Sequence, residues 1–117
     1  MDKFRPESFL PLTPVAFEIL LALADGDRHG YSILQEVETR SGGAVSLHAG
    51  TLYRALARLL ENDLIEELDS PSRSEDERRR YYRLTARGIA VARAEVGRLE
   101  GQLAAARTRR LLKGVRA

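Results

Sequence analysis

From Val15 to Ala24 nearly every side chain is apolar, and only Glu18 interrupts the run. A surface helix needs a polar face, so a helix here should be buried nearly all round. Thr13 and Pro14 mark its start, because a threonine hydroxyl caps free N–H groups and proline suits the first helical position. In a domain this small, burial on every side implies that a partner chain covers one side. Asp25-Gly26 ends the segment. A second helix should follow His29-Gly30, where Tyr31, Leu34 and Val37 recur beside Ile33 while Gln35, Glu36, Glu38 and Arg40 face water. Ser41-Gly42-Gly43 breaks the chain again. The spacing then predicts a third helix from about Ser46 or His48 to Asn62, with Leu52, Leu56, Leu59 and Leu60 as its buried stripe. At roughly 100° per residue, Thr51, Arg54 and Arg58 project from the other side.

After Asn62-Asp63 the pattern changes period. Leu64 to Leu68 reads as a short strand, and Asp69 to Glu77 as a polar loop around Pro71. Arg79 to Leu84 reads as a second strand with Tyr82 and Leu84 on one face and Tyr81 and Arg83 on the other. Thr85 should cap a long last helix, in which Ile89, Ala92, Val96, Leu99, Leu103 and Ala106 form a heptad seam. At about 25 residues that helix would reach on the order of 38 Å, too far to lie wholly on so small a body. It should project and pair with a second chain.

Three helices followed by a two-stranded hairpin is the order of a winged helix-turn-helix. The expected fold is mainly α with a small two-stranded antiparallel β-wing and a long C-terminal dimerisation helix. Residues 1–12 form an N-terminal arm, 13–85 the winged domain, 86–113 the dimerisation helix and 114–117 a flexible tail. The dimer contacts expected are Phe17 and Leu20 on the first helix with Ile89, Ala92, Val96, Leu99, Leu103 and Ala106 on the last.

A chain of 117 residues suits one domain, and 44% hydrophobic with 31% charged residues suits a folded one. The absence of cysteine excludes disulfides, thiolate metal sites and a cysteine nucleophile, and fits a reducing, cytoplasmic setting. The first twelve residues carry Asp2, Lys3, Arg5, Glu7 and two prolines, so no secretory signal is expected. The apolar run from Val15 is too short to cross a bilayer.

A net charge of +2 says little about nucleic acid, and the placement of charge says more. Arg78, Arg79, Arg80 and Arg83 form one concentration, and Arg107, Arg109, Arg110, Lys113 and Arg116 another. A DNA major groove is wide enough to admit a helix. The third helix offers it Thr51, Arg54 and Arg58, with His48 at its start and Gly50 and Ala57 allowing close approach. Tyr53 lies at the edge of the leucine stripe, where its hydroxyl can reach a phosphate. The wing adds Arg73, Arg78, Arg79 and Arg80, and a dimer would space two such helices about one DNA turn apart.

Each feature also has a plainer explanation. Exposed arginines are usually a solvated face, Arg78 to Arg80 would discourage strand pairing at an edge, and Glu75, Asp76 and Glu77 can neutralise them. Together, in this order on these elements, the features point to double-stranded DNA as the partner. The rival is a winged helix that binds another protein through its heptad seam and no longer touches DNA.

No cofactor, metal or catalytic role is expected. His29 and His48 lack partners at ligand spacing, Ser46-x-His48 lacks an orienting acid, and Gly42-Gly43 lacks the lysine of a phosphate loop.

Several strings resemble the PadR family of bacterial regulators. They are Leu20-Leu21-Ala22-Leu23 leading into His29-Gly30-Tyr31, then Gly50-Thr51-Leu52-Tyr53-Arg54-Ala55-Leu56, Leu64-Ile65, and Arg79-Arg80-Tyr81-Tyr82-Arg83-Leu84-Thr85 with Gly88. The likeness runs from about Leu10 to Gly88, and the single last helix is similar to the short branch of the family. It implies a homodimer whose last helix packs on the partner's first helix. It also implies a repressor that binds an inverted repeat near its own promoter and is released by a small-molecule effector at the dimer interface. By position, Thr51, Tyr53 and Arg54 fall on the family's recognition helix and Arg78, Arg79 and Arg80 on its wing strand. Some short members hold flat aromatic ligands between interface tryptophans; this chain has no tryptophan.

Overall fold

A computed structural model describes residues 3–45, 47–68, 80–109 and 111. The chain opens with a single 3-10 turn, Pro6–Phe9, and continues as α1 (Pro14–Ala24), β1 (Arg28–His29), α2 (Gly30–Arg40), α3 (Ala49–Glu61), β2 (Ile65–Leu68), β3 (Tyr81–Leu84) and α4 (Ala86–Thr108).

The helix starts follow from local chemistry. Thr13 Oγ1 accepts the Ala16 N–H at 3.1 Å with Pro14 at the first position, and Thr85 Oγ1 accepts the Gly88 N–H at 3.0 Å. At α2 the cap is His29, whose Nδ1 accepts the Ser32 N–H at 3.1 Å. The end of α3 is closed by Asp63 in the left-handed region at φ 64°. Its N–H reaches the Leu60 carbonyl at 3.0 Å and the Leu64 N–H reaches that of Leu59 at 3.0 Å, a Schellman closure with aspartate in the place glycine usually holds.

The core forms where α1 runs through the middle of the domain. Ile19, Leu20, Ala22 and Leu23 pack with Ile33 and Val37 of α2, Leu52, Leu56 and Leu59 of α3, then Leu64, Ile65, Tyr82 and Val91. This corrects the expected dimer contacts at Leu20 alone, since Phe17 and Leu21 of the same helix stay half-buried. Leu20 is completely buried within its own chain and cannot serve as a dimer contact. The polar residues along α1 and α2 tie the two helices together. Arg28 donates to the Ala22 carbonyl at 2.8 Å and to Ser32 Oγ at 3.0 Å, while Arg40 binds Glu18 and lies 3.5 Å from Glu36.

The sheet has three strands where two were expected. It is antiparallel in the order β1-β3-β2, with Arg28 opposite Tyr82, Ile65 opposite Leu84 and Leu68 opposite Tyr81. β1 was missed because two residues carry no alternation to read. The loop between β2 and β3, with Arg73, Glu75, Asp76, Glu77, Arg78 and Arg79, lies outside the described residues.

The N-terminal arm is anchored rather than trailing. Glu95 of α4 is 2% exposed; it accepts the Leu12 N–H at 3.3 Å and two bonds from Arg98, at 2.6 and 2.9 Å. Arg98 holds the Glu95 carboxyl below its ordinary value despite burial, and the Leu12 N–H adds to this. A carboxylate depressed on folding stabilises the native state above the unfolded value near 4.5, and the contribution disappears as pH falls through the lower native value. Glu95→Gln should therefore cost about 1–3 kcal/mol at neutral pH. Melts of variant and parent should converge as pH drops well below 4.5; a gap that persists there would contradict the account.

Candidate nucleic-acid interface

α3 presents two faces. Leu52, Leu56 and Leu59 turn inward, while Gly50, Arg54, Ala57 and Arg58 are exposed on the outer side and Thr51 is half-buried at its edge. His48 stands exposed immediately before the helix and makes no capping bond with its side chain. Neither Arg54 nor Arg58 forms an ion pair or side-chain hydrogen bond among the described residues. Two cationic forks on a helix with small residues between them can bind phosphates, base edges or carboxylates. Tyr53 is 52% exposed and reaches across to the start of α2. A methyl placed on Gly30 would lie 2.6 Å from its hydroxyl, so the glycine leaves room for that crossing.

Wing and helix sit on one scaffold. β3 joins β2 on one side and β1 on the other, and β1 runs directly into α2. His29 also meets the Tyr81 ring edge-on at 5.3 Å. The exposed face of the wing root carries cross-strand pairs: Arg83 to Glu66 at 2.7 Å and Arg80 to Glu67 at 3.0 Å. Glu66 holds Arg83 more firmly in its charged form. These partners were not singled out in the sequence, where the acidic run at Glu75 to Glu77 drew attention instead. Antiparallel pairing sets Glu66 opposite Arg83 only in the register that the folded strands adopt. Arg80, 74% exposed at its side chain, is thus placed at the wing root with its charge already shared. The other wing candidates, Arg73, Arg78 and Arg79, lie outside the described residues.

Residues 19–94 match the transcriptional regulator PadR-like family. The chain belongs to that family. The winged-helix arrangement described above is the fold of that family. A transcriptional regulator from Clostridium thermocellum superposes with a TM-score of 0.69 at 30% identity, covering 80% of this chain and 87% of that one. A PadR family transcription regulator from Clostridium difficile gives 0.66 at 28% identity, covering 86% and 99%. The Bacillus subtilis PadR solved in complex with operator DNA has the same fold at 20% identity and a TM-score of 0.64, covering 72% of this chain and 48% of that one. An uncharacterized protein of Lysinibacillus sphaericus is 35% identical over 72 residues, 62% of this chain and 65% of that protein. An uncharacterized 37.1 kDa protein in a Streptomyces fradiae transposon is 39% identical over 88 residues, 73% of this chain and 24% of that protein. The PadR-like chain thus spans less than two thirds of the length of these two relatives.

The last helix of this PadR-like regulator leaves an apolar stripe uncovered. Ile89, Val96, Leu99 and Leu103 are 37 to 43% exposed, and from Leu99 to Thr108 only Ala106 is even partly buried. Ala92 instead packs partly on the core. Phe17 and Leu21 of α1 are half-buried and stand outside that core. A groove of about 650 Å³ runs between Leu21, Ala24, Ile89, Ala92 and Val96, continuous with the stripe. No helix among the described residues is long and apolar enough to cross a membrane.

Proposed function

We propose that the chain is a cytoplasmic homodimeric repressor that covers an inverted-repeat operator and is released by a small molecule. The observation carrying the DNA-reading part is the pair Arg54 and Arg58, exposed on α3 without partners among the described residues. In this reading Thr51 and Arg54 approach base edges. Tyr53, Arg58 and His48 anchor phosphates beside the wing arginines Arg73, Arg78, Arg79 and Arg80. The uncovered stripe of α4 and its groove against α1 support a second copy as partner. The operator-bound Bacillus subtilis PadR supports the mode of docking by likeness of fold.

The test is fluorescence anisotropy on duplex DNA from upstream of the gene, with a scrambled control and two salt concentrations. Tight binding to the first duplex, weaker on the control and falling steeply with salt, is the expected result. Arg54→Ala should lose about 1–3 kcal/mol of discrimination at one base pair, and Arg79→Ala should weaken all duplexes alike and lower the salt slope by about one. Equal losses on every sequence for both variants would sink this division of labour. No binding to any duplex at low salt would favour a protein-binding module, for which the charge sharing at Glu66–Arg83 and Glu67–Arg80 speaks.

A further inference from the structure

The cations proposed to face DNA are not equally free. Arg54 and Arg58 stand on α3 without a carboxylate partner among the described residues. Arg80, at the root of the wing, donates from Nη1 to Glu67 Oε2 at 3.0 Å. Both members of that pair are exposed, the arginine side chain at 74% and the glutamate at 39%. An exposed pair adds little to stability and yields to another anion of comparable charge. A phosphate is such an anion, and a guanidinium fork receives it as readily as a carboxylate. Glu66, one residue away, has a different setting. Its partner Arg83 lines the groove between α1 and α4 with Asp25, Asp27 and Val96, and Asp27 adds to the hold on the Arg83 charge. Glu67 instead stands opposite Tyr82. Burial raises the Tyr82 hydroxyl above its ordinary value, and Glu67 and Tyr53 of α3 act on it in the same direction. The Glu67–Arg80 pair thus neighbours the DNA-facing helix, while the Glu66–Arg83 pair borders the groove.

We propose that Glu67 is a built-in competitor of DNA, which occupies Arg80 in the free protein and sets operator affinity below what the wing cations alone would give. The inference rests on the DNA-binding reading and adds an attenuating residue to it. Docking has to move the guanidinium from Glu67 to a phosphate. The carboxylate then stays unpaired within a Debye length, about 8 Å at physiological salt, of the charge that displaced it. Both effects oppose binding, and neither depends on which base pairs lie beneath α3. Glu67 therefore lowers affinity for every duplex by the same factor. It also retains a counterion at a contact that would otherwise release one. The charge sharing at the wing root is in this way part of DNA binding rather than a sign of its loss.

The test compares Glu67→Gln with Glu66→Gln, which removes the same charge one residue away. Fluorescence anisotropy over a salt series reads each against two duplexes: one enriched from a random pool by the parent protein, and its scrambled version. For each docked protomer, Glu67→Gln should tighten binding to both by about fivefold at low salt and steepen the salt slope by about one. The preference for the enriched duplex should not change. Glu66→Gln should gain less than about twofold. In an Arg80→Gln background the Glu67→Gln change should also gain less than about twofold, since no guanidinium is left to release. Equal gains from the two glutamine variants would show a general charge effect and overturn the proposal. So would a full gain in the absence of Arg80, a gain confined to one duplex, or no gain at all. Failure of the parent to enrich any duplex would overturn the DNA reading and the competitor with it.

Discussion

Gly88→Ala should lower the melting temperature by roughly 10 °C, a loss of about 3 kcal/mol at some 4 °C per kcal/mol. Helix propensity alone gives the opposite sign, because alanine is favoured over glycine inside a helix by about 1 kcal/mol. Sterics should win by a wide margin. An added methyl would sit 1.9 Å from the Leu64 carbonyl oxygen, 3.0 Å from its carbon and 3.3 Å from Leu84 Cδ2. The oxygen is not free to retreat, since it accepts the Thr85 N–H at 3.1 Å while Thr85 Oγ1 donates to the Asp63 carbonyl at 2.6 Å. Relief would require the first turn of α4 to lift away from the turn after α3. Gly101→Ala is the matched control, because nothing lies within 4 Å of a methyl there and propensity should act alone. Thermal melts at one protein concentration separate the two. Similar behaviour of both variants would show that the contact at Gly88 does not limit stability.

The second large effect belongs to the uncovered seam. Val96→Glu with Leu103→Glu should turn the proposed dimer into a monomer and weaken operator binding by about a hundredfold or more. Both side chains are exposed in the single chain, at 41 and 43%, so charge there costs the protomer's own fold little. Packed against a second helix, four carboxylates across the two copies would meet low-dielectric surroundings and one another. A monomer engages one half-site and forfeits the effective concentration that links the second, which is worth about 10²–10⁴ in avidity. Sedimentation velocity reads the assembly and anisotropy reads the affinity. A variant that sediments as a dimer and binds as tightly as the parent would refute dimerisation through α4.

Much of this fold could be read from the chain because short-range chemistry decides it. Thr13-Pro14 and Thr85 start helices by capping, and the leucines of α3 and the seam of α4 repeat at helical period. What escaped is non-local. β1 is two residues long and exists only because β3 lies beside it. Glu95 reads as an ordinary solvated residue on α4 until the arm folds over it. The apolar character of α1 was legible, but not which side its own chain covers: α2, α3, α4 and the sheet bury Leu20 in the core, while Phe17 and Leu21 stay half-buried outside it. At the interface, Arg54 and Arg58 emerge on the exposed face that helical geometry assigns them. The pairing of Arg80 and Arg83 with Glu67 and Glu66 depends on strand register, which a loop of uncertain length conceals in the sequence.

The tether from β3 through β1 into α2 has a consequence for anyone recombining these proteins. The root of the wing is stitched at Arg28 and His29 to the segment that begins α2, so the hairpin is not a detachable cassette. A graft spanning only the two long strands would leave the imported Tyr81 and Tyr82 counterparts facing an unmatched edge. A wing transplanted from a relative should keep its native angle only when the residues aligned with Arg28 and His29 travel with it. Chimeras made with and without that dipeptide would then differ in footprint on the same duplex, though their hairpins were identical.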